Sequence, residues 1–182
     1  MRSSSMKKTI YRWRVRAGIF GIIPVIILSR PNKVSLLSGV GVCFIGLLLR
    51  AWASGYLKKE KELTVSGPYQ YTRNPLYLGN FILGISCALG SYTWWGVIIF
   101  SAYFLLFYPT VIKKEKEKMK TLFPKKYEKY KKNVPSFFPS LRLYPSSDKI
   151  KFSWRIYRKN KEYRALIGSI VFWLILAGKL IL

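Results

Sequence analysis

The chain contains no histidine. That absence removes the Ser/His/Asp triad, the histidine general base and most zinc sites together. Its two cysteines, Cys43 and Cys87, each lie inside an apolar run with no CxxC or other metal-type spacing, so they read as small packing residues and no metal site is expected. Acid is scarce: 7 Asp and Glu stand against 32 Lys and Arg, a formal net charge of +25. There is no Gly-rich dinucleotide fingerprint. Ser29-Arg30-Pro31 lacks the small-x-small pattern of a cleavable signal peptide. Any chemistry must run on Arg, Glu, Tyr, Asn or backbone groups, or on a cofactor.

What is present is apolar sequence separated from charge. A soluble nucleic-acid binder shares such a charge but not several long apolar runs, so no nucleic acid is expected as a partner. Five segments stand out, at residues 17–29, 34–56, 76–92, 93–112 and 165–182. They predict an all-α fold: one membrane domain over residues 1–182, a helical bundle with about five transmembrane helices. The first segment is short against the roughly 20 residues of a usual span, and Pro24 interrupts it. Lys179 interrupts the last and is expected to snorkel to an interface. Ser91, Tyr92 and Thr93 alone separate the third and fourth segments, predicting a tight helical hairpin with Trp94 and Trp95 at its tip. Gly39 with Cys43, and Gly84 with Ala88, give the four-residue spacing of small residues that lets helices approach closely in lipid.

With the N-terminus cytoplasmic and all five segments crossing, the cytoplasmic segments hold 29 Lys and Arg, and the outside holds only Arg30, Lys33 and Lys179. The positive-inside rule selects that orientation. It puts residues 57–75 and 113–164 on one cytoplasmic side, where they can build a common site.

Two constellations lie there. In LTVSGPYQYTRNPLYLG, residues 63–79, Gly67 and Pro68 mark a turn. Asn74 reads as an N-cap and Pro75 as the first residue of a helix. Arg73 beside a helix N-terminus reads either as an anion-binding group or as an ordinary snorkelling arginine. In residues 112–135, apolar and aromatic residues at 112, 119, 122, 123, 127, 130 and 134 give an amphipathic helix reset at Pro124. Glu115 falls on that stripe, while Glu117 and Glu128 fall among the lysines. An inward carboxylate needs a cationic or donor partner, either a nearby Lys or Arg or a bound amine or sulfonium. The lysine face suits anionic lipid headgroups. Residues 149–164 interleave basic and aromatic residues just before the last apolar segment and read as lying on the membrane surface.

At these residues the chain resembles the isoprenylcysteine carboxyl methyltransferase and phospholipid methyltransferase superfamily of integral membrane enzymes. The matching stretches are LRAWA at 49–53, SGPYQYTRNPLYLG at 66–79, and Glu115 with FPKKYEKYKKNVP at 123–135. The resemblance implies an S-adenosylmethionine-dependent methyltransferase acting on a lipid-like or isoprenoid-like acceptor, with the cofactor at the cytoplasmic membrane face. Carried over, Lys61, Glu62, Leu63, Thr64, Tyr69, Asn74, Pro75, Leu76 and Tyr77 wrap the cofactor; Arg73, singled out by its place at the helix start, is the catalytic candidate, with positioning of the cofactor as its other reading. The family's Glu-Glu pair corresponds to Glu115 and Lys116. Only the first acid is retained, and the resemblance places Glu115 on the cofactor's amino group. Asn74 stands where other members carry His, as in phospholipid-type members. Val111 stands where prenylcysteine-type members carry a substrate arginine, which argues against a prenylcysteine carboxylate.

Two other readings compete. One is an NADPH-dependent membrane reductase of related architecture. The other is a non-enzymatic basic membrane protein that binds anionic lipid. The acceptor is left open between amine, carboxylate, hydroxyl and thiol.

Overall fold

The second apolar segment shows how the bundle is built. Asn32 caps it: its side chain accepts from Ser35 N at 2.8 Å, and Ser35 Oγ accepts from Asn32 N at 3.0 Å. This reciprocal box satisfies donors that a helix start leaves open. The helix then runs Lys33–Tyr56 and buries only small residues, among them Ser35, Gly39, Cys43, Gly46 and Ala53. Its large residues Val34, Leu37, Phe44, Ile45 and Leu48 are exposed. Small inside and large outside is the pattern of a helix whose solvent is lipid.

The computed structural model describes residues 16–145 and 151–181. The basic residues before Arg16, Lys149 and Leu182, which entered the expectations above, lie outside them. Among the described residues the chain is all helical, with no strand. The helices are α1 (Arg16–Leu28), α2 (Lys33–Tyr56), a 3-10 turn (Gly67–Gln70), α3 (Pro75–Ser91), α4 (Trp94–Leu122), α5 (Pro124–Asn133), α6 (Trp154–Lys159) and α7 (Tyr163–Ile181). Helices α2, α4 and α7 are long and apolar enough to cross a membrane, whereas α1 and α3 are shorter apolar helices. The 17 residues of α3 rise about 25 Å, a little less than a bilayer core. Helix α1 continues through Pro24 without a break.

Helices α2 and α3 pack backbone to backbone. A methyl added at Gly39 would lie 3.0 Å from Ser86 O and 3.1 Å from Gly90 Cα, and one at Gly46 would lie 3.2 Å from Gly79 O. Gly84 behaves differently from its expected role: it receives the ring of Phe100 on α4 rather than another helix's backbone. The α3–α4 hairpin is as tight as expected. Tyr92 takes the left-handed conformation (φ 50°), and Thr93 caps α4 by accepting from Gly96 N at 3.3 Å. Val25, Phe172 and Leu176 form a core joining α1 and α7, with Leu36, Cys87, Ile99 and Trp173 packed around it.

Two expectations need correction. Lys179 does not snorkel away. Its Nζ donates to the carbonyls of Ile26, Ile27 and Ser29 at 2.8, 3.0 and 2.9 Å, and so closes the C-terminal end of α1. The unpaired carbonyls and the negative pole of the helix dipole there attract the cation. The stretch after residue 112 is not a separate helix either. Helix α4 carries on to Leu122, through Pro109, and the chain breaks only at Phe123, where Pro124 becomes the first residue of α5. The reset at Pro124 is as expected.

Candidate active site

Tyr69 is the centre around which the basic end is organised. It sits in the Gly67–Gln70 turn, which begins with Gly67 at φ +61°, a left-handed position that favours glycine. Its phenol is buried, and burial pushes its pKa well above the usual value. Tyr130, Glu115, Glu162 and Tyr77 raise it further, in that order. These four charge-bearing or polar neighbours come from α5, α4, the junction between α6 and α7, and α3. Widely separated stretches therefore converge on one phenol, which stays protonated.

The surrounding scaffold is polar and specific. Tyr130 Oη donates to Tyr69 O at 2.6 Å. Burial pushes the Tyr130 phenol up as well, and the nearby Arg73 charge opposes this only in part. Arg73 Nη1 donates to Tyr127 Oη at 3.1 Å, and its guanidinium lies 5.9 Å from the centre of the Tyr127 ring. Leu63, Tyr127, Tyr130 and Val134 form a small core that clamps the 57–65 loop onto α5. Lys118 on α4 and Glu60 in that loop are joined by an ion pair.

A strap that the sequence did not announce completes the scaffold. Residues 134–144 run alongside the 70–74 block. Arg73 N donates to Pro135 O at 3.0 Å, Thr72 Oγ1 to Phe137 O at 2.8 Å and Ser140 N to Tyr71 O at 2.9 Å. Gln70 Nε2 donates to Tyr144 O at 2.9 Å. Asn74 joins the same set: its amide donates to Ser136 O at 2.7 Å and makes no capping bond to α3. This corrects its expected role. Asn74 occupies the N-cap position, and its side chain serves the strap instead. Pro75 is the buried first residue of α3, as expected.

The other expected site residues fall as follows. Lys61 is exposed, and Glu62 pairs with Lys58 at 2.9 Å. Leu63 is buried in the α5 core, and Thr64 is buried with no hydrogen-bond partner on its hydroxyl among the described residues. Leu76 is half-buried at the start of α3. Tyr77 is half-buried and meets Tyr108 edge to face, with ring centres 5.7 Å apart. Glu115 is half-buried on the face of α4 that acts on Tyr69. Tyr69, Tyr77 and Glu115 are thus brought together, Arg73 and Asn74 are joined through α5 and the strap, and Lys61 stands apart.

Three residues escaped the sequence reading. Arg50 forms an ion pair with Glu162 and a hydrogen bond with Asn80, tying α2, α3 and the start of α7 together. The signal was available. Arg50 is an arginine inside an apolar run, and such a charge demands a partner. Glu162 is the one acid in the basic stretch of residues 149–164.

The residues fit S-adenosylmethionine on the evidence of their own polar groups. Thr64 Oγ1 and Arg73 Nε are buried without hydrogen-bond partners among the described residues. Such groups are costly unless something completes them. Arg73 beside the α3 N-terminus suits a carboxylate, and Glu115 suits an ammonium.

The family model for phospholipid methyltransferases matches residues 34–126, from α2 to the start of α5. The chain belongs to the phospholipid methyltransferase family. The match covers the Tyr69 turn, Arg73, the start of α3 and Glu115. The chain is 35% identical over 112 residues to the nickel-cobalt-cadmium resistance protein NccN of Alcaligenes xylosoxydans xylosoxydans, which covers 59% of this chain and 50% of that protein. It is 36% identical over 110 residues to the cobalt-zinc-cadmium resistance protein CzcN of Cupriavidus metallidurans, covering 58% and 48%. It is 35% identical over 83 residues to the protein-S-isoprenylcysteine O-methyltransferase of Schizosaccharomyces pombe, covering 44% and 34%. The matched region thus spans about half the length of the two bacterial relatives. No solved structure matches the chain significantly.

Proposed function

We propose that this family member is an S-adenosylmethionine-dependent membrane methyltransferase that crosses the bilayer five times. Its site lies on the cytoplasmic side, and its acceptor is lipid-like or isoprenoid-like. The convergence on Tyr69 carries the reading: Glu115 of α4, Tyr77 of α3, Tyr130 of α5 and Glu162 all act on one protonated phenol, and Arg73 and Thr64 in the same loop region keep buried atoms without hydrogen-bond partners among the described residues. The charge bias supports the orientation, since α1 and α7 end beside the α3–α4 hairpin tip, away from the basic loops.

The cofactor, when bound, supplies an electrophilic methyl group on a sulfonium centre. The chain's part is binding, orientation and exclusion of water. Glu115 holds an ammonium, and Arg73, beside the positive pole of α3, holds a carboxylate. Thr64 Oγ1 offers one further hydrogen bond. The aromatic faces of Tyr77 and Tyr108 suit a cation. Tyr69 and Tyr130 stay neutral, so neither adds a competing negative charge. Val111, fully buried in place of a substrate arginine, supports an acceptor without a carboxylate. The reductase and lipid-organiser readings are not favoured, because the family and the fission-yeast relative both carry methyltransferase names.

Calorimetry of the full chain in detergent tests the reading. S-adenosylmethionine should bind to wild type and bind weakly to Glu115→Gln. A folded chain that gives no heat overturns it.

A further inference from the structure

The strap has a second side. Residues 134–145 read VPSFFPSLRLYP and hold a single charge, Arg142, directly after an α5 dense in lysine. One edge of the strap is pinned to the 70–74 block by the bonds given above. On the other edge Leu141 is fully exposed, Phe138 is 69% exposed and Leu143 is 59% exposed. Three large apolar side chains on one short loop form a patch that a water-facing loop does not ordinarily carry.

Depth decides what covers this patch. Phe137 packs edge to face on Phe81 of α3 and Phe104 of α4, with ring centres 5.7 and 5.6 Å apart. Phe81 lies six residues into α3, about 9 Å below its first residue along the helix. The strap therefore reaches back along the bundle toward the apolar zone instead of standing off above it. Phe138 follows at once, its ring against Phe137 at 5.3 Å. A non-helical backbone is not tolerated bare in hydrocarbon. Here part of the backbone hydrogen bonding is taken up by residues 70–74, which permits the apolar tips to enter the headgroup and upper acyl region. Exposed Arg142, between Leu141 and Leu143, is placed to meet lipid phosphate.

We infer that residues 137–143 are a membrane-inserted wedge, with Phe138, Leu141 and Leu143 in the upper acyl region of the leaflet on the basic side. The occupant is bilayer lipid. The same strap orders the block that begins α3, so the wedge seats that block at the lipid boundary. This goes beyond the methyl-transfer reading and does not depend on it.

The test reads depth. In the full chain carrying Cys43→Ala and Cys87→Ala, Leu141→Cys or Phe138→Cys is labelled with the fluorophore NBD. The labelled chain is reconstituted in vesicles of phosphatidylcholine and phosphatidylglycerol. A label on Leu105→Cys, on the exposed apolar face of α4, is the lipid control, and one on Lys126→Cys is the water control. Labels at 138 and 141 should lose most of their emission to acyl-chain doxyl lipid, as at 105, and little to aqueous iodide. Quenching by iodide without quenching by doxyl lipid overturns the inference. Protection from both also overturns it, because it means that a second chain covers the patch. The label at 105 reports whether each preparation is inserted and folded.

Discussion

The two ends of the bundle treat their helix termini in opposite ways. At the end holding the α3–α4 hairpin, polar groups are used structurally. Asn32 and Ser35 cap α2 reciprocally, Thr93 caps α4, and Lys179 takes three carbonyls at the end of α1. At the basic end the cap position of α3 is filled, but its side chain is turned to Ser136, and Thr64 and Arg73 keep buried atoms without hydrogen-bond partners. One end is closed for stability. The other leaves buried polar atoms of Thr64 and Arg73 to be completed.

The sharpest way to break this comparison is at Glu115. If the acid holds the cofactor's ammonium, Glu115→Gln loses a charge-assisted hydrogen bond worth about 1.5–3 kcal/mol, roughly 10- to 100-fold in affinity. Calorimetry with S-adenosylmethionine reads this directly, and the melting temperature in detergent shows that the variant is folded. A variant that binds as wild type makes Glu115 a structural acid.

Arg73 comes next, because its role is divided. It braces Tyr127, and it offers an unpartnered Nε. Arg73→Lys keeps the charge but loses the planar fork. Both Arg73→Ala and Arg73→Lys should weaken cofactor binding by about tenfold, with Ala the worse. Full rescue by Lys would show that a point charge is enough.

How much of this was legible in the sequence follows from the same contrast. The all-helical fold, the hairpin and the start of α3 at Pro75 were legible because they rest on local signals: apolar length, a short break at residues 91–93, a proline at the first helical position. Glu115 was legible because one helix's periodicity separated it from Glu117 and Glu128. What was hidden is non-local. Nothing in VPSFFPSLRLYP announces that it will bond to residues 70–74, some 65 positions earlier, so the turning of Asn74 away from its cap was invisible. Lys179 was misread for the same reason, since its partners lie about 150 residues upstream.

At the closed end, Lys179→Met should cost about 1–2 kcal/mol by orphaning the α1 carbonyls. The melting temperature in detergent falls, and cofactor affinity is unchanged in whatever fraction is folded. A loss of affinity without a loss of stability would mean that the two ends are coupled.

Tyr130 separates stability from binding at the basic end. Its folded-state pKa lies above its unfolded value of about 10. Above that pH the unfolded chain gives up a proton that the folded chain keeps, so stability is full below pH 10 and falls as pH rises beyond it. Tyr130→Phe should lower stability by about 1–2 kcal/mol at neutral pH by leaving Tyr69 O without its donor. It should also flatten the alkaline decline, with Tyr69 supplying what remains. Denaturant midpoints between neutral pH and pH 11 measure both effects.

The smallest effect is expected at Glu60. Its hydrogen bond and ion pair with Lys118 hold its carboxyl below the usual value. That contribution is present above the unfolded carboxylate pKa and is lost as pH falls through the folded one. The pair is exposed, so salt weakens it. Glu60 also sits at φ 62°, in the left-handed region where a side chain is strained. The two features pull apart on substitution. Glu60→Gln removes the charge and keeps the strain, so it should be slightly destabilising at low salt and neutral at high salt. Glu60→Gly removes both, and at high salt, where the pair contributes little, it should be the more stable variant. Equal melting temperatures for Gln and Gly at high salt would show that the bend is relaxed and that the 57–65 loop is held by the Leu63 core alone.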